Sequence, residues 1–356
     1  MKSFKFRYFN YFLIFTLAIW PINHLMACTG ILLKTANQEP VYARTLEFGI
    51  DLQSQILFMP RNYVMTAATD RAGVSGLQWT TKYATIGANA FGLESYVDGV
   101  NEEGLAGGLF YFPGFAGYQK VKDADYANSL PMWQLLTWIL TNFKNVAEVK
   151  EALPQVFVTD VILPQFQDSV PAHLIIHDLA GKSLVIEYVQ GKLQLYDNKL
   201  GVFTNSPEFS WHLTNLRNYL NLSPMNVQSK ELLGLDLKQL SQGSGLHGLP
   251  GDFTSPSRFV RATQFMANSP TPKTTLEAVY QVFHILNNFD IPKGSVVDSQ
   301  GHFEFTTWTS AIDLKNQIFY FRPYANFQLQ KFELNKMNFS SPVSKQLSPE
   351  VVDQII

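Results

Sequence analysis

The sequence predicts an α+β fold in which strands and helices form separate layers. Two observations carry this. Short apolar runs cut by turn residues fill the first third of the chain. Apolar residues at helical spacing then occupy 131–152, and strand-like runs return after them. That order, strands then helices then strands, is not the regular alternation of a wound parallel sheet. The composition allows a large core, with 46 % hydrophobic, 14 % aromatic and only 16 % charged residues.

Each element follows from its own residues. Residues 1–10 hold Lys2, Lys5 and Arg7 and no acid, and Tyr11 to Trp20 is an apolar run ended by Pro21. A basic start, a short apolar stretch and a small residue at Ala27 are the marks of a secretory signal peptide cut between Ala27 and Cys28. The run is shorter than the roughly 20 apolar residues of a membrane span. The expectation is a leader over 1–27, one domain over 28–356, no membrane span, and a periplasmic or secreted product. Leu25-x-x-Cys28 also resembles a lipoprotein lipobox, in which Cys28 is lipidated and its amine capped. Residues 31–44 read as a hairpin turning at Asn37 to Pro40, and 56–59 as a strand closed by Pro60. Strands are predicted at 83–87 and 104–111, with turns at Asp98-Gly99 and at 101–104. One helix is predicted over 131–152, starting at Pro131. Strands follow at 173–177, 184–189 and 194–196, helices near 209–220, 257–266 and 276–287, and a closing hairpin over 308–313 and 317–322.

Cys28 is the single cysteine, so no internal disulfide is possible and a reactive thiol is indicated. Cut after Ala27, the chain begins with a residue carrying both a thiol and a free α-amine. Such an amine titrates near about 7.7–8.0 and can act as base toward the thiol. Cationic neighbours favour the thiolate, and an oxyanion needs aimed donors. A net charge of −2 gives no footprint for nucleic acid. No His, Cys, Asp or Glu spacing fits a metal site and no glycine-rich phosphate loop occurs, so neither metal nor cofactor is expected. His173, His177, His212 and His284 are expected to be structural.

Seven segments, in order and at matching spacing, give the chain a resemblance to the choloylglycine hydrolase family, which contains conjugated bile acid hydrolases and penicillin V acylases. They are Cys28-Thr29-Gly30, Ala43 to Glu47, Asn101 to Leu105, Thr204 to Pro207, Leu249 to Phe259, Phe283 to Asn288 and Thr307 to Ser310. The resemblance runs from Cys28 to about Tyr324. It implies a four-layer αββα Ntn-hydrolase sandwich, two antiparallel sheets between helices, and a homotetramer. It implies Cys28 as nucleophile and, through its amine, base. By the same resemblance Arg44 stabilises the thiolate, Asn205 donates to the oxyanion and Arg258 supports the charge network. Glu47 stands where the family usually carries an aspartate that holds the α-amine. Tyr111 stands where bile acid hydrolases tend to carry asparagine and penicillin V acylases tyrosine, and it is assigned to substrate binding, with its N–H as the second oxyanion donor.

The expected activity is hydrolysis of a linear amide in a small N-acyl substrate through an acyl-enzyme. Tyr111 and the aromatics around it favour penicillin V or an N-acyl homoserine lactone. A conjugated bile salt hydrolase and a non-enzymatic lipoprotein lipidated on Cys28 are the alternatives, with an acid-ceramidase-like, self-cleaving enzyme as a further one.

Overall fold

A computed structural model describes residues 27–351 except Gln167, Gln300, Ser348 and Pro349, so the expected leader, Ala27 aside, lies outside the described residues. Two antiparallel sheets form its centre, each with eight strands among the described residues. The first runs Val202–Phe203, Ala27–Lys34, Pro40–Phe48, Phe303–Asp313, Ile318–Pro323, Gln330–Glu333 and Glu350–Val351, with Val296–Val297 paired to Phe303–Asp313. The second runs Lys192–Asp197, Ser183–Val189, Ala172–His177, Ala106–Tyr111, Tyr96–Asn101, Thr85–Asn89, Ile56–Met59 and Lys345–Leu347.

Helices Ser255–Asn268 and Thr275–Leu286 pack on the first sheet, and Met132–Asn142 packs on the second. Helix, sheet, sheet and helix therefore succeed one another. Ile31, Tyr42, Ile86, Val100 and Phe110 join the two sheets in one apolar cluster, and Val279 and Val282 extend it under the helices. Leu135, Leu136 and Ile139 join Leu174 and Ile186 in a second cluster beneath Met132–Asn142. Among the described residues no helix is long and apolar enough to cross a membrane.

Three expectations change. Asp98-Gly99 is not a turn but lies inside strand Tyr96–Asn101. The reason is close backbone approach: a Cβ on Gly87 would sit 2.0 Å from the Asp98 carbonyl oxygen, so the glycines here serve packing between strands. The predicted helix over 131–152 is two, Met132–Asn142 and Val146–Ala152. Phe143 is extended between them, and the Asn145 side chain caps the second helix by accepting from the Glu148 N–H at 2.9 Å. The helix near 209–220 is α-helical only over Phe209–Asn215 and tightens to a 3₁₀ turn over Leu216–Tyr219.

Candidate active site

Strand register builds the site. Ala27–Lys34 pairs with Pro40–Phe48 so that Cys28 faces Leu46, Gly30 faces Arg44 and Ala27 faces Glu47. Side chains alternate across a strand, so Cys28 and Arg44 share one face while Ala27 and Glu47 share the other. The thiol and the main-chain nitrogen of Cys28 therefore meet different sets of groups.

On the thiol side, Arg44 Nη2 donates to Cys28 Sγ at 2.8 Å. Its other donors are fixed: Nη1 reaches the Leu109 carbonyl at 2.7 Å and the Val97 carbonyl at 3.3 Å, and Nε the Thr45 carbonyl at 3.2 Å. The guanidinium lies 4.0 Å over the Phe110 ring. Burial pushes the Cys28 thiol up, and Arg44 is the strongest opposing influence. Asp98 lies deeper on the same side, hydrogen-bonded by Ser310, and burial lifts it to about 7 against the pull of Arg44.

On the nitrogen side, the Cys28 N–H donates to Asn205 Oδ1 at 2.6 Å. Arg258 Nη2 donates to the same oxygen at 2.7 Å, its Nη1 to the Cys28 carbonyl and to Thr29 Oγ1 at 2.8 Å, and its Nε to the Phe253 carbonyl at 2.9 Å. Asn205 Nδ2 donates to the Tyr111 carbonyl at 2.8 Å. An amide carries two N–H groups, so one remains for a substrate oxygen. Glu47 is buried; Thr306 donates to its Oε1 at 3.1 Å, while Oε2 has no hydrogen-bond partner. Burial raises Glu47 to about 7, opposed most by Arg258.

The Asn205 loop is held by Ser255 and by two of the histidines expected from the sequence to be structural. Ser255 Oγ accepts from the Asn205 N–H at 2.9 Å, and His212 Nε2 lies 2.9 Å from its carbonyl. His173 bridges Glu187 and the Thr204 carbonyl at 3.1 and 3.0 Å. Burial lowers His212 to about 4, so it stays neutral at physiological pH. His177 is buried in the core and His284 exposed on its helix.

Two hollows adjoin this cluster, one lined by Cys28 and the other by Ala27. One is a narrow apolar pocket of about 70 Å³ walled by Phe48, Phe91, Tyr96, Tyr111, Trp133 and Phe166. Tyr111 is buried there, its ring edge-on to Phe166 at 6.4 Å, and burial first, then Asp168, raises its hydroxyl to about 12. The other, about 490 Å³, brings Asn205, Asp252, Arg258 and Glu304 together with Ala27 and apolar residues such as Phe253 and Ile291.

All six residues singled out in the sequence thus converge: Cys28, Arg44, Glu47, Asn205 and Arg258 in one hydrogen-bonded or facing cluster, and Tyr111 in the adjoining pocket wall. Asp98, Thr306 and Glu304 were not singled out. Nothing local marks them, because each sits in a strand whose burial depends on distant elements. No group of three or more His, Cys, Asp or Glu able to hold a metal occurs among the described residues. A buried thiol against a fixed guanidinium, with an amide donor beside it, is equipped for nucleophilic attack on an acyl carbon and stabilisation of the resulting oxyanion.

Comparison with known proteins agrees with this geometry. The chain is 34 % identical over 315 residues to a bile salt hydrolase/transferase of Clostridium perfringens, covering 87 % of this chain and 93 % of that one. It is 27 % identical to a penicillin V acylase of Pectobacterium atrosepticum, covering 88 % and 83 %. A crystal structure of a mutant conjugated bile acid hydrolase from Clostridium perfringens superposes with a TM-score of 0.81 at 32 % identity, over 90 % of this chain and 96 % of that one. That likeness makes the layered architecture an Ntn-hydrolase fold. Residues 28–348 match the family described as linear amide C–N hydrolases, choloylglycine hydrolase family, and it is to this family that the chain belongs.

Proposed function

We propose that the protein is an exported amidase whose mature chain begins at Cys28 and which cleaves N-acyl amides bearing an aromatic or alkyl acyl group, of the kind found in penicillin V and N-acyl homoserine lactones. The observation that carries the acyl preference is the narrow aromatic pocket beside Cys28, with Tyr111 in its wall. A flat ring or a flexible chain fits such a slot better than a rigid steroid.

The mechanism follows from the two sides of Cys28. In the chain that still carries Ala27 the nitrogen is a peptide and cannot act as base. Removal of residues 1–27 turns it into an amine, held by Asn205 Oδ1 on the far side from Arg44. The amine takes the thiol proton, Arg44 stabilises the thiolate, and the thiolate attacks the amide carbonyl. The free Asn205 N–H and the Tyr111 N–H receive the oxyanion. The amine then passes its proton to the leaving nitrogen, and water hydrolyses the thioester. The family match beginning at Cys28 supports this start.

Similarity to bile salt hydrolases favours a second reading, hydrolysis of conjugated bile salts. Steady-state kinetics on penicillin V, an N-acyl homoserine lactone and glycocholate separate the two. The proposal expects the first two to have the higher kcat/KM. It expects Tyr111→Asn to lose several-fold on penicillin V and to narrow the gap to glycocholate, because aromatic contacts contribute about 0.5–1.5 kcal/mol. A wild type that prefers glycocholate overturns it. Intact mass of exported protein tests processing, and a lipid adduct on Cys28 sinks the free-amine mechanism.

A further inference from the structure

The hollow beside Ala27 holds a carboxyl group for which the mechanism above has no use. Glu304 is 3 % exposed, and its Oε1 has no hydrogen-bond partner. It stands close to a second under-used acid. Glu47 faces Thr306 across the strands, and Glu304 lies two residues from Thr306, hence on the same face of the sheet. Glu47 Oε2 is likewise unpartnered. Arg258, the nearest cation on that face, directs its donors to Cys28, Thr29, Asn205 and Phe253 and hydrogen-bonds neither carboxyl. Two buried carboxylates side by side, with no donor cation, are costly unless they keep their protons or a cation arrives.

Processing supplies one. Ala27 faces Glu47 in register and lines the same hollow as Glu304 and Arg258. Cutting the Ala27–Cys28 bond removes that residue and leaves an ammonium in its place. One of its three N–H groups has an acceptor in Asn205 Oδ1, at 2.6 Å from the nitrogen. The others emerge toward the space that Ala27 filled.

We propose that Glu304 is a positioning residue for the nucleophile: together with Glu47 it receives the α-ammonium of processed Cys28 and sets the pH at which that group becomes a base. This rests on the free N-terminal cysteine of the preceding subsection. It also accounts for glutamate at position 47, since a pair of acids divides the task. The charged and titratable groups around the amine are the Cys28 thiol and Arg44 on one side, and Glu47, Glu304, Arg258 and Asp252 on the other, with Asp298 behind Glu304 and Tyr111 at the pocket edge. Without the ammonium, burial and then Glu47 raise Glu304 to about 8; a cation between the two acids favours their charged forms.

The test reads the amine directly. Processed wild type, Glu304→Gln and Glu304→Asp are treated with cyanate across pH, and carbamylation of the N-terminal peptide is quantified by mass spectrometry. Of the two forms of the amine only the neutral one reacts, and the thiocarbamate that cyanate also forms on the Cys28 thiol is reversed at mildly alkaline pH before the peptide is weighed. Removing a nearby negative charge weakens the ammonium, so Glu304→Gln is expected to lower the midpoint by about one pH unit and Glu304→Asp by less. Coinciding midpoints in folded wild type and Glu304→Gln overturn the proposal. Should Glu304→Gln not fold, Glu304→Asp decides, and its coincidence with wild type overturns the proposal equally. A wild type whose mass shows no start at Cys28 defeats the underlying reading instead, so the two failures are told apart.

Discussion

At Cys28, burial and charge act in opposite directions. Burial favours the thiol, and Arg44 favours the thiolate. Because Arg44 is held by three main-chain carbonyls, it cannot follow a displaced sulfur, and its effect depends on that placement. Replacing it with a neutral side chain leaves burial unopposed. Arg44→Gln is therefore expected to slow alkylation of Cys28 by iodoacetamide at pH 7 about tenfold or more, since the loss of a close opposite charge moves a pKa by about one unit or more. Cys28→Ala, which takes up no label, is the control; an unchanged rate in Arg44→Gln would remove the guanidinium from the mechanism. At this scale the sequence was informative where chemistry sits in short ordered segments, as at Cys28, Arg44, Asn205 and Arg258. It was silent at Glu304, which stands between Phe303 and Phe305 in an alternating run. Whether that alternation points to water or to a buried hollow depends on what covers the strand, here the loop and helix that bring in Asp252 and Arg258.

Among the elements, strand Ala106–Tyr111 does the most to shape the site. Gly108 lies against the arginine: a Cβ there would come within 2.4 Å of the Tyr42 hydroxyl and 3.1 Å of Arg44 Nη1. Gly108→Ala is expected to push the guanidinium off the sulfur and cut kcat by about tenfold to a hundredfold, as small displacements of catalytic groups do. A folded variant with normal kcat would show that the arginine tolerates the shift. Hairpins announced themselves through their turns: Gln38 takes a positive φ of 63° within the expected turn at 37–40. The break at Phe143 was hidden because Val146 and Val149 continue the apolar spacing of the preceding helix, and only the Asn145 cap reveals a new start. Asp98-Gly99 misled for the converse reason. The pair has turn composition, but its glycine answers to the neighbouring strand.

Across the whole molecule, the buried carboxyls give stability a definite pH dependence. Burial raises Asp98 and Glu47 to about 7 in the folded chain that retains Ala27. Folded carboxyls that keep protons longer than unfolded ones make the folded state the better proton binder. These acids by themselves make stability fall as pH rises from about 4, the unfolded value, until Asp98 and Glu47 ionise near 7 and Glu304 near 8. Buried His177 and His212, lowered to about 3 and about 4, act the other way over the same range, so the carboxyl contribution is read as a difference: the unfolding free energy of wild type minus that of Asp98→Asn, each from urea denaturation, is expected to fall by on the order of a few kcal/mol between pH 5 and pH 7.5. A difference that stays constant across that range would show that Asp98 is ionised throughout.

Arg44 grows from the first sheet but is gripped by carbonyls of Val97 and Leu109 in or beside the second. The guanidinium is thus a rivet through both plates of the sandwich, and the sulfur sits on its head. Any slip of one plate over the other, from a cavity cut elsewhere in the core at Ile86 or Val100, must tug on the nucleophile. The reactivity of a single sulfur atom in this protein is therefore a strain gauge for the alignment of the entire core, and heating should silence the enzyme before it melts the fold.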